Sequence, residues 1–436
     1  MFQFLLGGLR GGDEQAGAKP ASHRTLLRIE GLEDRCTPAL FVVNTVMDTP
    51  DANPGNGVAA DAKGNTSLRA AIDEGNKAAG PHTITFNLPV GENVIWLGSG
   101  LVLSKSYTID GTGNFGIIGD DLIGHHPPPE REGGGGGIEI GALVPHGVSI
   151  RRVIDLTVAP WLQVDNAFRL MTVEKGAVGA QNSLTVRRLD FRYGYAVGAN
   201  VESGSGGAIH SPNDLTIEGS SFYGNSSESY GGAVRAIGKL AVSDSAFSGN
   251  TSFLQGGALN YAATPGLAPQ TIAGSSFTFN TVAKDGGAIH FGSDVLQPNQ
   301  VVPLTALDLA QTDVTDNYSA SSGGGIASGA FLFVTGGSVS NNESKNNGGG
   351  LFYSSTDGFA YLFGLRMENN QAGTATDLAE GGGIYANFGT VVLDSPFSFS
   401  GNVANPATTA GGGFRTKGAF IEANNMPAVH DPITAG

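Results

Sequence analysis

The apolar positions of this chain fall in short alternating runs. In Leu215-Thr216-Ile217-Glu218 and Leu240-Ala241-Val242-Ser243 every second residue is apolar and its neighbours are small or polar. That is the period of a β-strand with one buried face. No repeat contains a helical pattern of ten or more residues. The runs recur in a fixed frame. Gly-Gly-Ala followed by an apolar residue begins at Gly206, Gly231, Gly256 and Gly286, and Phe-x-x-Asn falls between copies, at Phe222 to Asn225, Phe247 to Asn250 and Phe277 to Asn280. Further on, a third glycine replaces the alanine in the copies that begin at Gly323, Gly348, Gly381 and Gly411, and the second motif loosens to Val314 to Asn317, Val339 to Asn342, Met367 to Asn370 and Phe399 to Asn402. A period in this range marks a stacked repeat architecture.

The spacing within the repeat is uneven. From Asn225, Asn250, Asn280, Asn317 and Asn342 the next glycine pair follows after six residues, whereas the other half of the repeat varies in length. The Asn-to-glycine corner is therefore rigid and insertions belong to loops elsewhere. Three strands per repeat, Gly-Gly-Ala-Ile-His, Leu-Thr-Ile-Glu and Ser-Ser-Phe-Tyr, predict an all-β fold, a single-stranded right-handed parallel β-helix of roughly 13–15 coils. Ile209, Val234, Leu259, Ile289, Ile326, Leu351, Ile384 and Phe414 form one expected interior column, and Phe222, Phe247 and Phe277 another. The Asn column suits a turn in which side-chain amides bond to backbone or to the same residue in the next coil. The glycine pair suits a positive φ or a close backbone approach.

The paired motifs, over about Gly206 to Gly413, resemble the repeat of the polymorphic outer membrane protein family of bacteria, surface β-helix proteins implicated in adhesion. The resemblance implies a secreted or outer membrane-associated location and a glycan or cell-surface partner. The family's C-terminal barrel has no counterpart in this sequence.

The start of the chain adds two resemblances. Arg24 to Ala39, ending Gly-Leu-Glu-Asp-Arg-Cys-Thr-Pro-Ala, resembles a leader found on large bacterial extracytoplasmic proteins, so residues 1–39 are expected to be a leader. Thr66-Ser67-Leu68-Arg69-Ala70-Ala71-Ile72 resembles the Cys-Ser-Leu-Arg-Glu-Ala-Ile segment that opens many bacterial β-helix proteins. Leu68, Ala71 and Ile72 are spaced for a short amphipathic helix with Thr66 or Ser67 as N-cap. Residues 40–90 are thus expected to cap the solenoid, whose open end exposes apolar interior and strand edges. The helix proper would run over 91–424, with a loop insertion at about 121–165 and a tail at 425–436.

Composition narrows the partners. The formal charge is −15 and charged residues make up 14%, which argues against nucleic acid. The single cysteine, Cys36, excludes an intramolecular disulfide. The sequence has no run of 18 apolar residues, so no transmembrane helix is expected. No His or Cys cluster and no phosphate-binding loop occurs, and the acidic loop from Asp48 to Asp61 matches no standard calcium spacing. No metal or other cofactor is expected.

One constellation could be enzymatic. Asp120 and Asp121, followed by His146-Gly147 and the pair Arg151-Arg152, resemble the Gly-Asp-Asp, His-Gly and basic elements of β-helix glycoside hydrolases. Two carboxylates would serve as acid and base on a glycosidic bond. The third carboxylate, in an Asn-Thr-Asp segment, and the later Arg-x-Lys are missing, so binding is favoured over catalysis. The candidate binding row is the position after the interior column: His210, Arg235, Asn260, His290, Ala327, Phe352, Tyr385 and Arg415. These side chains point outward and are expected to form one continuous stripe open to a ligand.

Overall fold

The computed structural model describes residues 38–112, 148–152, 167–176, 182–198, 200–262, 269–292, 305–356, 358–373, 379–404, 413–424 and 433–435. Within the unit that begins at residue 37, the chain is a parallel β-helix. It has four all-parallel sheets, of twelve, ten, eleven and eight strands among the described residues.

One coil shows how the sequence makes the fold. Ile209–Ser211 contributes to a glycine-corner sheet, Asp214–Glu218 to a long-strand sheet, Ser221–Tyr223 to a phenylalanine sheet and Ser226–Ser227 to a short sheet. The fourth strand corrects the expected three. It follows the Asn directly and spans two residues. Among the described residues the long-strand sheet has twelve strands, a stack of roughly 50–55 Å at the usual strand spacing. That sheet starts at Ala39–Val43 and includes His82–Phe86, so the expected capping segment supplies strands as well as a helix. At the other end Ile433–Ala435 pairs with Phe414–Thr416.

Interior columns hold the coils together. Phe191, Phe222, Phe247 and Phe277 stack with ring centroids 5.0, 4.6 and 4.5 Å apart. Leu215 and Ile217 face inward from the long-strand sheet, with Leu240, Val242, Ile272, Leu307 and Leu309 above them, all at most 2% exposed. Beside the phenylalanines runs a ladder of buried asparagines: Asn225, Asn250, Asn280, Asn317, Asn342, Asn370 and Asn402. Each Nδ2 donates to the next Oδ1 at 2.8–3.0 Å. Each also donates to a backbone carbonyl one coil back, as Asn225 does to Phe191. A buried amide so satisfied adds stability; left unpaired it would cost about 1–3 kcal/mol per group. At the corner after the long strands, Ser220, Ser245, Ser275 and Thr312 form a second ladder, each hydroxyl accepting from the backbone N–H of its counterpart one coil earlier or, for Ser220, of Leu189.

The two glycines of the corner do different work. The first takes a positive φ, +64° at Gly231 and +68° at Gly256. The second has no room for a side chain: a Cβ on Gly257 would lie 2.0 Å from the Gly287 carbonyl oxygen, and one on Gly232 2.1 Å from that of Gly257.

The expected capping helix is Leu68–Lys77. Ser67 is its N-cap, accepting from Ala70 N at 2.9 Å, while Thr66 Oγ1 donates instead to Ala59 O. Leu68, Ala71 and Ile72 join the core with Phe41, Val43 and Ile84. Arg69 grips Asp48 with two hydrogen bonds, at 2.8 and 2.9 Å, and reaches the Ser99 carbonyl.

Candidate functional site

The row read from the sequence exists as a row. His210, Arg235, Asn260, His290, Ala327, Phe352, Tyr385 and Arg415 are successive register partners on the glycine-corner sheet, on the face opposite Ile209 and its column. It is not an open stripe, and this corrects the expected exposure. His210, Arg235, Asn260 and His290 are 0–6% exposed, and Tyr385 is 5% exposed. The polar end satisfies much of itself: Arg235 donates to Asn260 Oδ1, the Asn260 amide lies 3.1 Å from His290 Nδ1, and the Tyr230 ring stands 4.9 Å from the Arg235 guanidinium. Burial pushes the His210 and His290 imidazoles down to about 3, with the Arg235 charge adding to both and Arg169 to His210. At the other end Phe352 and Tyr385 stack in parallel at 5.8 Å, and Arg415 pairs with Glu380 at 3.4 Å.

Asp120, Asp121 and His146 lie outside the described residues. The basic pair that follows them is engaged internally. Arg151 Nε donates to Ser149 Oγ, which donates to Asp190 Oδ2, and Arg192 pairs with the same carboxylate at 2.6 Å. Arg152 Nε donates to the Tyr193 carbonyl. In the acidic loop, Asp61 accepts from the backbone of Lys63 and Asn65 and from Thr49 Oγ1, so its oxygens organise the loop. Among the described residues no three His, Cys, Asp or Glu side chains gather as a metal site.

The structure brings together a surface that the sequence reading missed. On the long-strand sheet, Phe331–Thr335 and Phe359–Phe363 are neighbours, with Leu332, Val334, Ala360 and Leu362 buried. Phe331 and Phe333, and Phe359, Tyr361 and Phe363, therefore stand on the outer face of two adjacent coils. Phe359 meets Phe331 and Phe333 edge-on at 5.1 and 5.2 Å. Tyr361 donates to Asp394 Oδ2 at 2.8 Å, and Phe363 is 39% exposed. At this end of the patch a cleft of about 490 Å³ opens between coils, lined by Gln311, Asp313, Phe363, Arg366 and Pro396 over Gly336 and Gly337. The signal was present in the sequence. The neighbouring strand Ala306–Ala310 alternates cleanly, with Leu307 and Leu309 buried; extending its register by one coil puts Phe331 and Phe333 outside.

A parallel β-helix bearing an aromatic outer patch beside a polar cleft is the class that fold and surface define. No family model matches the chain, and no curated protein or solved structure matches it either.

Proposed function

We propose that this is an exported or cell-surface β-helix protein that holds a glycan or another surface ligand on its outer face without transforming it. The observation that carries this reading is the set of five aromatic side chains, Phe331, Phe333, Phe359, Tyr361 and Phe363, on the outer face of two adjacent coils. Aromatic rings grouped on one outer face, four of them half-buried and Phe363 exposed, suit stacking on sugar rings or covering a partner's apolar patch. The paired glycine and asparagine motifs add support through their resemblance to the repeats of polymorphic outer membrane proteins, as does the leader-like start of the chain. The stacked coils form a scaffold whose side chains keep fixed positions, which suits binding.

The test is a polysaccharide and glycan panel scored for retention and for product release. Retention without release is the expected result. Tyr361→Ala with Phe363→Ala is expected to weaken retention by roughly tenfold or more, from the loss of two ring contacts, at an unchanged melting temperature. Release of shortened products would overturn the non-catalytic reading, and unaltered retention in the double variant would remove the patch from it.

A further inference from the structure

We propose that the cleft beside Phe363 binds an acidic pyranose, a sugar ring bearing a carboxylate, as one unit of a polysaccharide. This rests on the binding function proposed above and assigns its recognition chemistry.

The cleft is a local departure from the repeat. In the coils before it, the corner after the long strand holds Gly219-Ser220, Asp244-Ser245, Gly274-Ser275 and Gln311-Thr312, and the hydroxyls form a buried ladder. The next coil has Gly336-Gly337 at that place, both with positive φ, +73° and +76°. The hydroxyl ladder stops there. A Cβ on Gly336 would lie 2.3 Å from Gln311 Nε2, and one on Gly337 2.1 Å from the Thr312 carbonyl oxygen. The two glycines let the Gln311 amide and the Thr312 carbonyl pack directly on this backbone, which forms part of the cleft lining.

The walls carry three kinds of group. Phe363, the end of the aromatic patch, offers a partly exposed ring. Asp313, Ser338 and Arg366 are register partners on successive coils, so the carboxylate and the guanidinium stand two coils apart, roughly 9–10 Å at the usual strand spacing. Ser338 Oγ donates to Asp313 Oδ1 at 2.6 Å, which leaves Oδ2 for a ligand. Arg366 is exposed, and its guanidinium has no hydrogen-bond or ion-pair partner among the described residues.

These groups suit one another around a sugar ring. A planar guanidinium takes a carboxylate with two parallel hydrogen bonds. A carboxylate oxygen and a side-chain amide, from Asp313 and Gln311, accept and donate to hydroxyls. An aromatic ring covers the apolar face of a pyranose. The volume lies within the range of small-ligand sites. Because Phe363 belongs to both cleft and patch, a longer chain seated in the cleft can run onto Tyr361 and Phe333. A peptide would use the patch but leave the opposed Asp313 and Arg366 without a repeating partner, so the saccharide is the occupant the lining favours.

The test is calorimetric titration of the full chain with a hexasaccharide of mannuronate and with its carboxyl-reduced counterpart, which keeps ring and linkage but loses the charge. The acidic form is expected to bind at least about tenfold more tightly, the scale of one charged hydrogen-bonded pair. Arg366→Gln should abolish that difference, and Arg366→Lys should retain only part of it. Arg187→Gln, which breaks a surface pair with Glu218 on another coil, should change nothing. Equal binding of the two sugars, or discrimination that survives Arg366→Gln in a folded variant, overturns the proposal. If other polysaccharides are retained through the patch while Arg366 variants have no effect, only this assignment falls. If no saccharide is retained and peptides are, the binding function proposed above falls with it.

Discussion

The side-chain amide of Asn250 donates to Asn280 Oδ1 and to the Phe222 carbonyl, each at 3.0 Å, so one buried residue ties together three successive coils. Its own Oδ1 accepts from the backbone and side chain of Asn225.

Asn250→Ala strands two buried donors and one carbonyl at once. The expected cost is about 3 kcal/mol or more. Ser248→Ala, two residues away and half-buried, is expected to cost under about 0.5 kcal/mol. Denaturant midpoints compared at equal slope decide it; similar small shifts would show that the ladder contributes little.

Phe247 is stacked between Phe222 and Phe277 at 4.6 and 4.5 Å and is fully buried. Phe247→Ala leaves a cavity in the column and is expected to cost roughly 3–5 kcal/mol. Reversible unfolding measures it, and a loss under about 1 kcal/mol would contradict an interior stack.

Two glycines separate steric closure from backbone conformation. At Gly257 a methyl group would meet the Gly287 carbonyl oxygen at 2.0 Å, whereas at Gly64, with φ +84°, nothing lies within 4 Å. Gly257→Ala is expected to destabilise by about 3 kcal/mol or more. Gly64→Ala should cost only about 1–2 kcal/mol, the penalty of a left-handed conformation. Equal effects would mean that the corner relaxes around the added atom.

Acid should weaken the fold through His210 and His290. Their folded imidazoles titrate at about 3 because they are buried beside Arg235, while an ordinary histidine takes its proton near 6.5. Between those values the unfolded chain binds more protons than the folded one, so stability is full above about pH 6.5 and falls as pH drops towards 3. The melting temperature is expected to fall from pH 7 to pH 4.5. A His210→Gln, His290→Gln variant should lose less over the same interval. An equal loss would assign the acid sensitivity to other groups.

What was legible in the sequence follows from the physics of stacking. Asn250, Phe247 and Gly257 each repeat one residue type in one place, because identical side chains in adjacent coils satisfy or pack on one another. The strand at Ser226–Ser227 was not legible, since two residues cannot display a period. The direction of His290 was readable from alternation, but its burial was not: alternation says which way a side chain points and nothing about what covers it. Phe331-Leu332-Phe333-Val334 is apolar throughout, so the pattern within that strand left both faces open. Only its register against Leu307 and Leu309 settled which side held the phenylalanines.

The asparagine ladder closes over sequence intervals of 25, 30, 37, 25, 28 and 32 residues with hardly any change in its hydrogen-bond lengths. Each coil thus presents on one side the same donors and acceptors that it receives on the other. As far as the ladder is concerned, a segment running from one Asn to the next can be of any of these lengths. A coil added or deleted between two asparagines would leave this ladder matched on both sides, so the ladder by itself sets no fixed number of coils.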